Sequence, residues 1–200
     1  MVVQTHEAPA RGTATSIRRL LIALGVLVLV GAVVYAALRP APSPSIRDRT
    51  LPSFSLPLLS GGRMTSSDLR GHPVVLNFFA SWCKPCKKEA PLLERNYRRL
   101  SGTDVIFVGV ATNDVESDTR DFVARWGVTY PVVWDAHGSL ASKMHAIVLP
   151  ETYFVAPDGT FADGVRGRAL GTKAGTVVAG AITARRLHEG LRGLLNGEGS

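Results

Sequence analysis

Cys83 and Cys86, the two cysteines of the chain, lie three positions apart in the segment W-C-K-P-C. Cysteines at this spacing can form an intramolecular disulfide and exchange it with the thiols of a partner. A bridge that closes so small a ring stabilises a fold little, and two cysteines cannot supply the four thiolates of a structural zinc site. The pair therefore favours redox exchange, with one inert bridge or a partial metal site as the alternatives.

The elements around the cysteines should hold them at the start of a helix. Residues 74–79 (V-V-L-N-F-F) predict a strand that is buried on both faces and ends near Ala80. The residues after Cys86 (K-K-E-A) are good helix formers, and Pro85 is tolerated in a first helical turn. Because the N-terminus of a helix favours negative charge, the sulfur of Cys83 should ionise more readily than a free thiol.

The motif W-C-K-P-C-K-K-E after N-F-F-A-S resembles the thioredoxin superfamily, and most closely its membrane-anchored TlpA, ResA and DsbE branch. Thioredoxin has an aspartate six residues before its first cysteine, whereas this chain has Asn77. The anchored branch has a glutamate at the position of Glu89, which the helical period places on the same face as Cys86. The resemblance implies that Glu89 assists proton transfer at the Cys86 sulfur. A solvated surface glutamate is the alternative.

The segment L-P-E-T-Y-F-V at positions 149–155 resembles a second motif of the same branch. The resemblance implies that Pro150 is cis, that Pro150 and Glu151 shape a groove in which a partner peptide pairs, and that Trp82 shields the dithiol. Without the resemblance, Pro150 reads as a residue that opens an edge strand. Relatives commonly place glycines before this proline, whereas this chain has His145 and Val148, so the choice of partner stays open.

The N-terminal part of the chain predicts a membrane anchor. Residues 20–38 contain no charged residue, and at about 1.5 Å per residue they nearly span a hydrocarbon core of roughly 30 Å. We expect a cytoplasmic segment (1–19), a transmembrane helix (20–38), a proline-rich linker (39–48) and a folded domain (49–196). The apolar run is long for a signal peptide, although Val34-Tyr35-Ala36 leaves cleavage open. Arginines flank both ends of the helix, so the orientation rests on the resemblance.

The remaining pattern predicts an α/β domain with a thioredoxin-like fold, in which helices flank a central mixed sheet. Strand-like and helix-like segments alternate along it. In chain order, the predictions are a hairpin within 51–71 that ends in a helical turn at 66–69, a strand at 104–110, a helix at 117–126 with Ser117 as its N-cap, an extended segment at 128–134, a strand at 153–155 and a helix at 172–195.

The formal net charge of +7 does not indicate nucleic-acid binding, because the basic residues are scattered and partly flank the apolar run. Anionic lipid beside an anchored domain explains the excess. The sequence has no phosphate-binding loop and no histidine and carboxylate cluster with metal-ligand spacing. We therefore predict no metal, no cofactor and no bound haem.

These features predict a thiol–disulfide oxidoreductase that acts outside the cytoplasm. Cys83 would attack a partner disulfide and Cys86 would resolve the mixed disulfide. The resemblance implies reduction of apocytochrome c cysteines, with electrons from a membrane thiol carrier. The alternatives are an oxidant for exported proteins, a redox-inactive binding module, and a peroxidase, because residues 51–78 also resemble peroxiredoxins. Ala80 and Leu76 stand where peroxiredoxins need a hydroxyl residue and a proline.

Overall fold

The computed structural model describes residues 13–38, 50–146, 148–161 and 177–196. The chain divides into two compact units, Met1–Ser43 and Pro44–Ser200. In the first unit, helix α1 spans Thr13–Leu38 and its side chains from Leu21 to Tyr35 are exposed. Within the described part of the chain, no helix is long and apolar enough to cross a membrane. The predicted linker lies outside the described residues.

The second unit begins with the predicted hairpin. Strands β1 (Ser55–Pro57) and β2 (Arg63–Thr65) pair with each other in antiparallel fashion, and a 3-10 turn over Ser66–Leu69 follows them. The hairpin and the turn are thus confirmed. The hairpin does not extend the main sheet by a full strand, because a single bridge from Leu58 to Val133 connects them.

Within the described residues, five strands form a mixed sheet in the order β5-β4-β3-β6-β7. Strands β3, β4 and β5 are parallel, whereas β6 and β7 are antiparallel to their neighbours. This confirms the predicted mixed sheet. The strands are β3 (Val74–Phe79), β4 (Ile106–Thr112), β5 (Val132–Asp135), β6 (Glu151–Val155) and β7 (Val177–Ala179).

Helices cover both faces of this sheet, as predicted. They are α2 (Lys84–Arg99), α3 (Glu116–Trp126), α4 (Ser139–Met144) and α5 (Ala184–Asn196). One apolar cluster joins the sheet to α2, α3 and α5 through Leu93, Phe122 and Leu187. The other joins the opposite face to α4 and the hairpin through Leu140 and Leu56. Alternate side chains of β3 enter the two clusters, which explains why the strand is apolar on both faces.

The predicted starts of two helices are wrong. The C-terminal helix begins at Ala184, because Val177 and Val178 belong to strand β7. Residues 172–176 of the predicted helix lie outside the described residues. The N-cap of α3 is Val115, not Ser117, whose hydroxyl donates to the carboxylate of Asp118 instead.

The register of the sheet brings three loops to one end. Phe78 of β3 lies opposite Glu151 at the start of β6, and Phe79 lies opposite Ala111 near the end of β4. The loops that follow β3 and β4 and the segment that precedes β6 therefore meet at this end of the sheet. The predicted site residues Trp82, Cys83, Cys86 and Pro150 come from these segments or from the first turn of α2, whereas Glu151 begins β6 and Glu89 lies further along α2.

Candidate active site

Cys83 and Cys86 lie where β3 leads into α2. Cys83 is the N-cap residue of α2, and its sulfur accepts a hydrogen bond from the backbone N–H of Cys86 at 3.2 Å. The two residues form a disulfide with their Cα atoms 5.3 Å apart. Both are buried, with Cys83 at 4% and Cys86 at 1% exposure. The N–H groups at the start of α2 favour a thiolate on Cys83, which suits this residue to attack.

Glu89 is a buried carboxyl group on the Cys86 face of α2, not a surface residue. Its exposed fraction is 3%. Oε1 accepts a hydrogen bond from Nδ2 of Asn77 at 2.8 Å, and Oε2 accepts one from the backbone N–H of Ile182 at 2.6 Å. Burial raises the pKa of Glu89 from 4.5 to about 7, against these two bonds, which lower it. Glu89 can therefore both accept and release a proton near neutral pH.

Asn77 links Glu89 to the central strands. Its Nδ2 atom donates to Glu89 and also to Oγ1 of Thr152 at 3.0 Å. An amide nitrogen has two hydrogens, so both are used. Asn77 and Thr152 are 3% and 0% exposed. The sequence marks Asn77 as a residue without a titratable proton, but it gives no signal for the contact with Thr152.

Pro150 precedes β6 and is buried, and the Leu149–Pro150 peptide bond is cis, as the resemblance implies. β6 is not an edge strand, because it pairs with β3 on one side and with β7 on the other. The carbonyl of Pro150 accepts a hydrogen bond from the backbone N–H of Gly180 at 2.8 Å. Before Pro150, Val148 is exposed, and the predicted pairing of a partner peptide in this region stays a prediction.

The side chain of Glu151 is buried on the face of the sheet opposite the dithiol. Tyr153, two positions along β6, donates its hydroxyl to Oε2 of Glu151 at 2.9 Å and packs in the second apolar cluster. Cys83 and Cys86 belong to the first cluster. Because side chains alternate between the faces of a strand, the Glu151 side chain lies on the face away from the dithiol. This position does not support the prediction that the side chain helps to shape the groove.

Trp82 lies on the surface directly before the attacking cysteine. Its side chain is 61% exposed, and its indole N–H donates to the carbonyl of Asn113 at 3.3 Å. Its predicted role in shielding the dithiol stays a prediction. Among the residues that the structure describes, no three histidine, cysteine or acidic side chains are placed to hold a metal ion.

A sequence model of the AhpC/TSA family matches residues 48–163 of this chain. The chain belongs to the AhpC/TSA family. The matched stretch contains both cysteines, Glu89 and Pro150. Two thiol-disulfide oxidoreductases named ResA are similar to the chain. That of Bacillus subtilis (strain 168) is 29% identical over 187 residues, which cover 92% of this chain and 97% of that protein. That of Oceanobacillus iheyensis is 32% identical over 148 residues, which cover 70% and 77%.

Solved structures share the fold. MTB DsbF, in its mixed oxidised and reduced forms, aligns with a TM-score of 0.60 at 28% identity and covers 70% of this chain and 94% of its own. StoA from Bacillus subtilis aligns with a TM-score of 0.56 at 24% identity, covering 70% and 97%. The predicted thioredoxin-like fold is confirmed, and with the Cys83–Cys86 pair these relatives make the chain a thiol–disulfide oxidoreductase.

Proposed function

We propose that this chain is a membrane-anchored reductant that acts outside the cytoplasm on disulfides of partner proteins, and that apocytochrome c is such a partner. The thiolate of Cys83 attacks one sulfur of the partner disulfide and forms a mixed disulfide, and the other partner sulfur leaves as a thiolate. Cys86 then attacks Cys83. The partner keeps both thiols, and the Cys83–Cys86 pair has lost two electrons, which a membrane thiol carrier returns.

The observation that carries this proposal is the buried carboxyl group of Glu89 beside the resolving cysteine. Cys86 must lose its proton before it attacks Cys83, and it must regain a proton when the disulfide is reduced again. A group with a pKa of about 7 can serve both steps at neutral pH. At i and i+3 on α2, Glu89 and Cys86 share one helix face.

The same carboxyl group supports the reducing direction. Its negative charge disfavours a thiolate in the buried pair, because like charges repel strongly where water is excluded. A couple whose reduced form gains less stabilisation has a lower reduction potential and donates electrons more readily. The start of α2 and Lys84 act in the opposite sense on Cys83. The oxidant role is therefore the second candidate, and the reduction potential separates the two.

Within the described residues no helix meets the length and apolarity needed to cross a membrane, so the proposed anchoring rests on the apolar sequence of residues 20–38, on the exposed side chains of α1 and on the resemblance to the anchored branch. The large side chains of α1 between Leu21 and Tyr35 are exposed within that unit, and residues 20–38 contain no charge. An apolar surface of this extent is unfavourable in water. The orientation with the N-terminus inside follows the resemblance to the anchored branch. Protease added to intact cells should cut residues 49–196 and spare the N-terminus, whereas a protected domain would reverse the orientation.

The test of the proposal is the reduction potential of the Cys83–Cys86 couple in the full chain in detergent micelles, equilibrated against glutathione or dithiothreitol buffers. A value near or below about −270 mV, that of thioredoxin, supports a reductant, whereas one near about −120 mV would make the chain an oxidant. A disulfide-bonded C-x-x-C-H peptide, the haem-attachment motif, should be reduced by the wild type and not by Cys83→Ser.

A further inference from the structure

A second buried carboxylate, that of Asp114, contacts the loop that leads to Cys83. Asp114 follows β4 and is 8% exposed. Its Oδ2 accepts hydrogen bonds from the backbone N–H of Ser81 at 2.6 Å and from Oγ1 of Thr119 at 2.9 Å. Its Oδ1 accepts bonds from Oγ of Ser81 at 2.7 Å and from the backbone N–H of Val115 at 3.0 Å. Ser81 is thus bound through both its backbone and its side chain.

Asn113 and Asp114 together hold both residues that precede Cys83. Asp114 binds Ser81, and the carbonyl of Asn113 accepts the indole N–H of Trp82. This loop is itself anchored to the sheet, because the carbonyl of Asp114 accepts the indole N–H of Trp134 at 2.9 Å. The link therefore runs from β5 through the loop after β4 to the two residues before the attacking sulfur.

We propose that Asp114 is a positioning residue for thiol–disulfide exchange. Its carboxylate fixes the turn from β3 into α2, so that the sulfur of Cys83 stays at the N-terminus of the helix and Trp82 stays beside it. The inference rests on the proposed role of Cys83 as the attacking sulfur. Asp114 does not touch the dithiol in this role, since it acts through Ser81 and the Asn113 carbonyl.

A carboxylate suits this task better than other polar groups. It offers two oxygens, and each can accept more than one hydrogen bond, whereas an amide offers one oxygen and brings two donors. In Asp114→Asn, the NH₂ group would face a backbone N–H at either oxygen position, that of Ser81 at Oδ2 or that of Val115 at Oδ1. A donor that faces a backbone N–H leaves that buried group unsatisfied, which is costly. The turn before Cys83 should therefore shift in the variant.

Asp135 provides a matched control in the same sheet. It ends β5 and is 1% exposed. Its carboxylate also accepts two backbone N–H groups and two hydroxyls. The donors are Leu140 N at 3.0 Å, Ala141 N at 3.0 Å, Ser139 Oγ at 2.8 Å and Thr112 Oγ1 at 3.3 Å. Three of these bonds lie at the start of α4, and the fourth binds Thr112 at the end of β4. None of them involves Ser81, Trp82 or Cys83. Asp135→Asn should thus destabilise the fold in a similar way without moving Cys83.

The experiment compares the full-length wild type, Asp114→Asn and Asp135→Asn, reduced and in detergent micelles. The rate constant for attack on oxidised glutathione is measured at a temperature where circular dichroism shows each variant folded. We expect roughly a tenfold or larger loss in Asp114→Asn, because a small misplacement of reacting atoms costs this much or more. Asp135→Asn should stay within about twofold of the wild type, as expected for a site that does not contact the dithiol loop.

Ser81 supplies a second pair of variants that keeps the test decisive if Asp114→Asn does not fold. Ser81→Ala removes the hydroxyl that donates to Asp114 and should slow the attack, and Ser81→Thr retains a hydroxyl and should restore it. Equal rates in all four variants and the wild type would overturn the positioning role, as would equal losses in Asp114→Asn and Asp135→Asn. A wild type that does not exchange disulfides would instead contradict the proposed function.

Discussion

The backbone N–H of Ile182 donates a hydrogen bond to Oε2 of Glu89 at 2.6 Å, across 93 positions of the chain. Two residues earlier, the N–H of Gly180 donates to the carbonyl of Pro150 at 2.8 Å. The turn between β7 and α5 therefore binds both the buried carboxyl group and the cis-proline. The bond from Ile182 and the bond from Asn77 favour the ionised carboxyl group, whereas burial favours the neutral one, and burial dominates.

Glu89→Gln tests whether this carboxyl group moves a proton during exchange. Glutamine keeps the shape of the side chain but cannot titrate. We expect the rate of disulfide exchange at neutral pH to fall about tenfold. This is less than the usual effect of general acid–base catalysis, because thiols are already partly ionised near neutral pH. The inflection near pH 7 in the wild-type pH profile should be absent from the variant. The measurement is the rate of glutathione disulfide reduction from about pH 5 to 9.

Glu94→Gln is the control for this prediction. Glu94 lies on the same helix, is 7% exposed and is bound by Thr129 and Arg98. Burial raises the pKa of Glu94, but its hydrogen bonds to Thr129 and Arg98 and the charge of Arg98 together hold the pKa below the ordinary value, so it does not titrate near neutral pH. The variant should lose stability and keep the wild-type inflection. If Glu89→Gln also keeps that inflection, Glu89 takes no part in the proton transfer.

The raised pKa of Glu89 also predicts how stability depends on pH. The folded protein keeps the proton up to about pH 7, whereas the unfolded chain releases it near 4.5. The free energy of unfolding should therefore fall as the pH rises through this window, by about 3 kcal/mol at most. Urea titrations of the oxidised protein at several pH values measure the slope. Glu89→Gln should flatten it, and equal slopes would contradict the assignment.

The dithiol end of the site could be predicted from the sequence because its signals are local. A buried strand, two cysteines and a run of helix formers follow one another within a short stretch, and the structure places Cys83 as the N-cap of α2. The contacts of Glu89 could not be predicted in the same way. They join α2 to Asn77, 12 positions away, and to Ile182, 93 positions away. Such contacts depend on the order of the strands, which periodicity does not specify.

The errors at the C-terminus have a similar cause. Val177 and Val178 are spaced too closely for the apolar stripe of the predicted helix, and their pairing with β6 places them in strand β7. Helix α4 has six residues, which is too short for a periodic signal. Its start is set by the Asp135 carboxylate, which binds the N–H groups of Leu140 and Ala141.

No sequence motif marks Asp114 as a site residue. Its contact with Ser81 is a tertiary contact, which local patterns do not predict.

Asn77 should tune the pKa of Glu89 through its hydrogen bond to Oε1. Asn77→Ala removes a donor that favours the ionised carboxyl group, so the pKa of Glu89 should rise further and the inflection in the pH profile should move to higher pH. Thr152→Val is the control, because it leaves the Asn77–Glu89 bond in place and should move the inflection much less. If the inflection moves equally in both variants, the shift reflects a general loosening of the site and not the loss of the Asn77–Glu89 hydrogen bond.

Gly190 of α5 should resist replacement even though glycine is a poor helix residue. A Cβ atom at this position would overlap the ring of Phe154 on β6. Glycine to alanine in a helix ordinarily stabilises by about 0.5–1 kcal/mol, but overpacking a core costs about 1–3 kcal/mol. Gly190→Ala should therefore lower the free energy of unfolding. The sign of this change is enough to distinguish overpacking against Phe154 from the ordinary gain in helix propensity.

The effect should extend to the active site. If α5 moves away from β6, the turn that carries Ile182 moves with it, and the weaker bond to Glu89 should raise the pKa of that carboxyl group. His188→Ala, at an exposed position of the same helix, adds no atom against the sheet. It should raise the free energy of unfolding slightly, because alanine is the better helix former, and it should leave the pH profile unchanged. A stabilised Gly190→Ala with the wild-type inflection would mean that α5 does not pack closely enough on Phe154 to control Glu89.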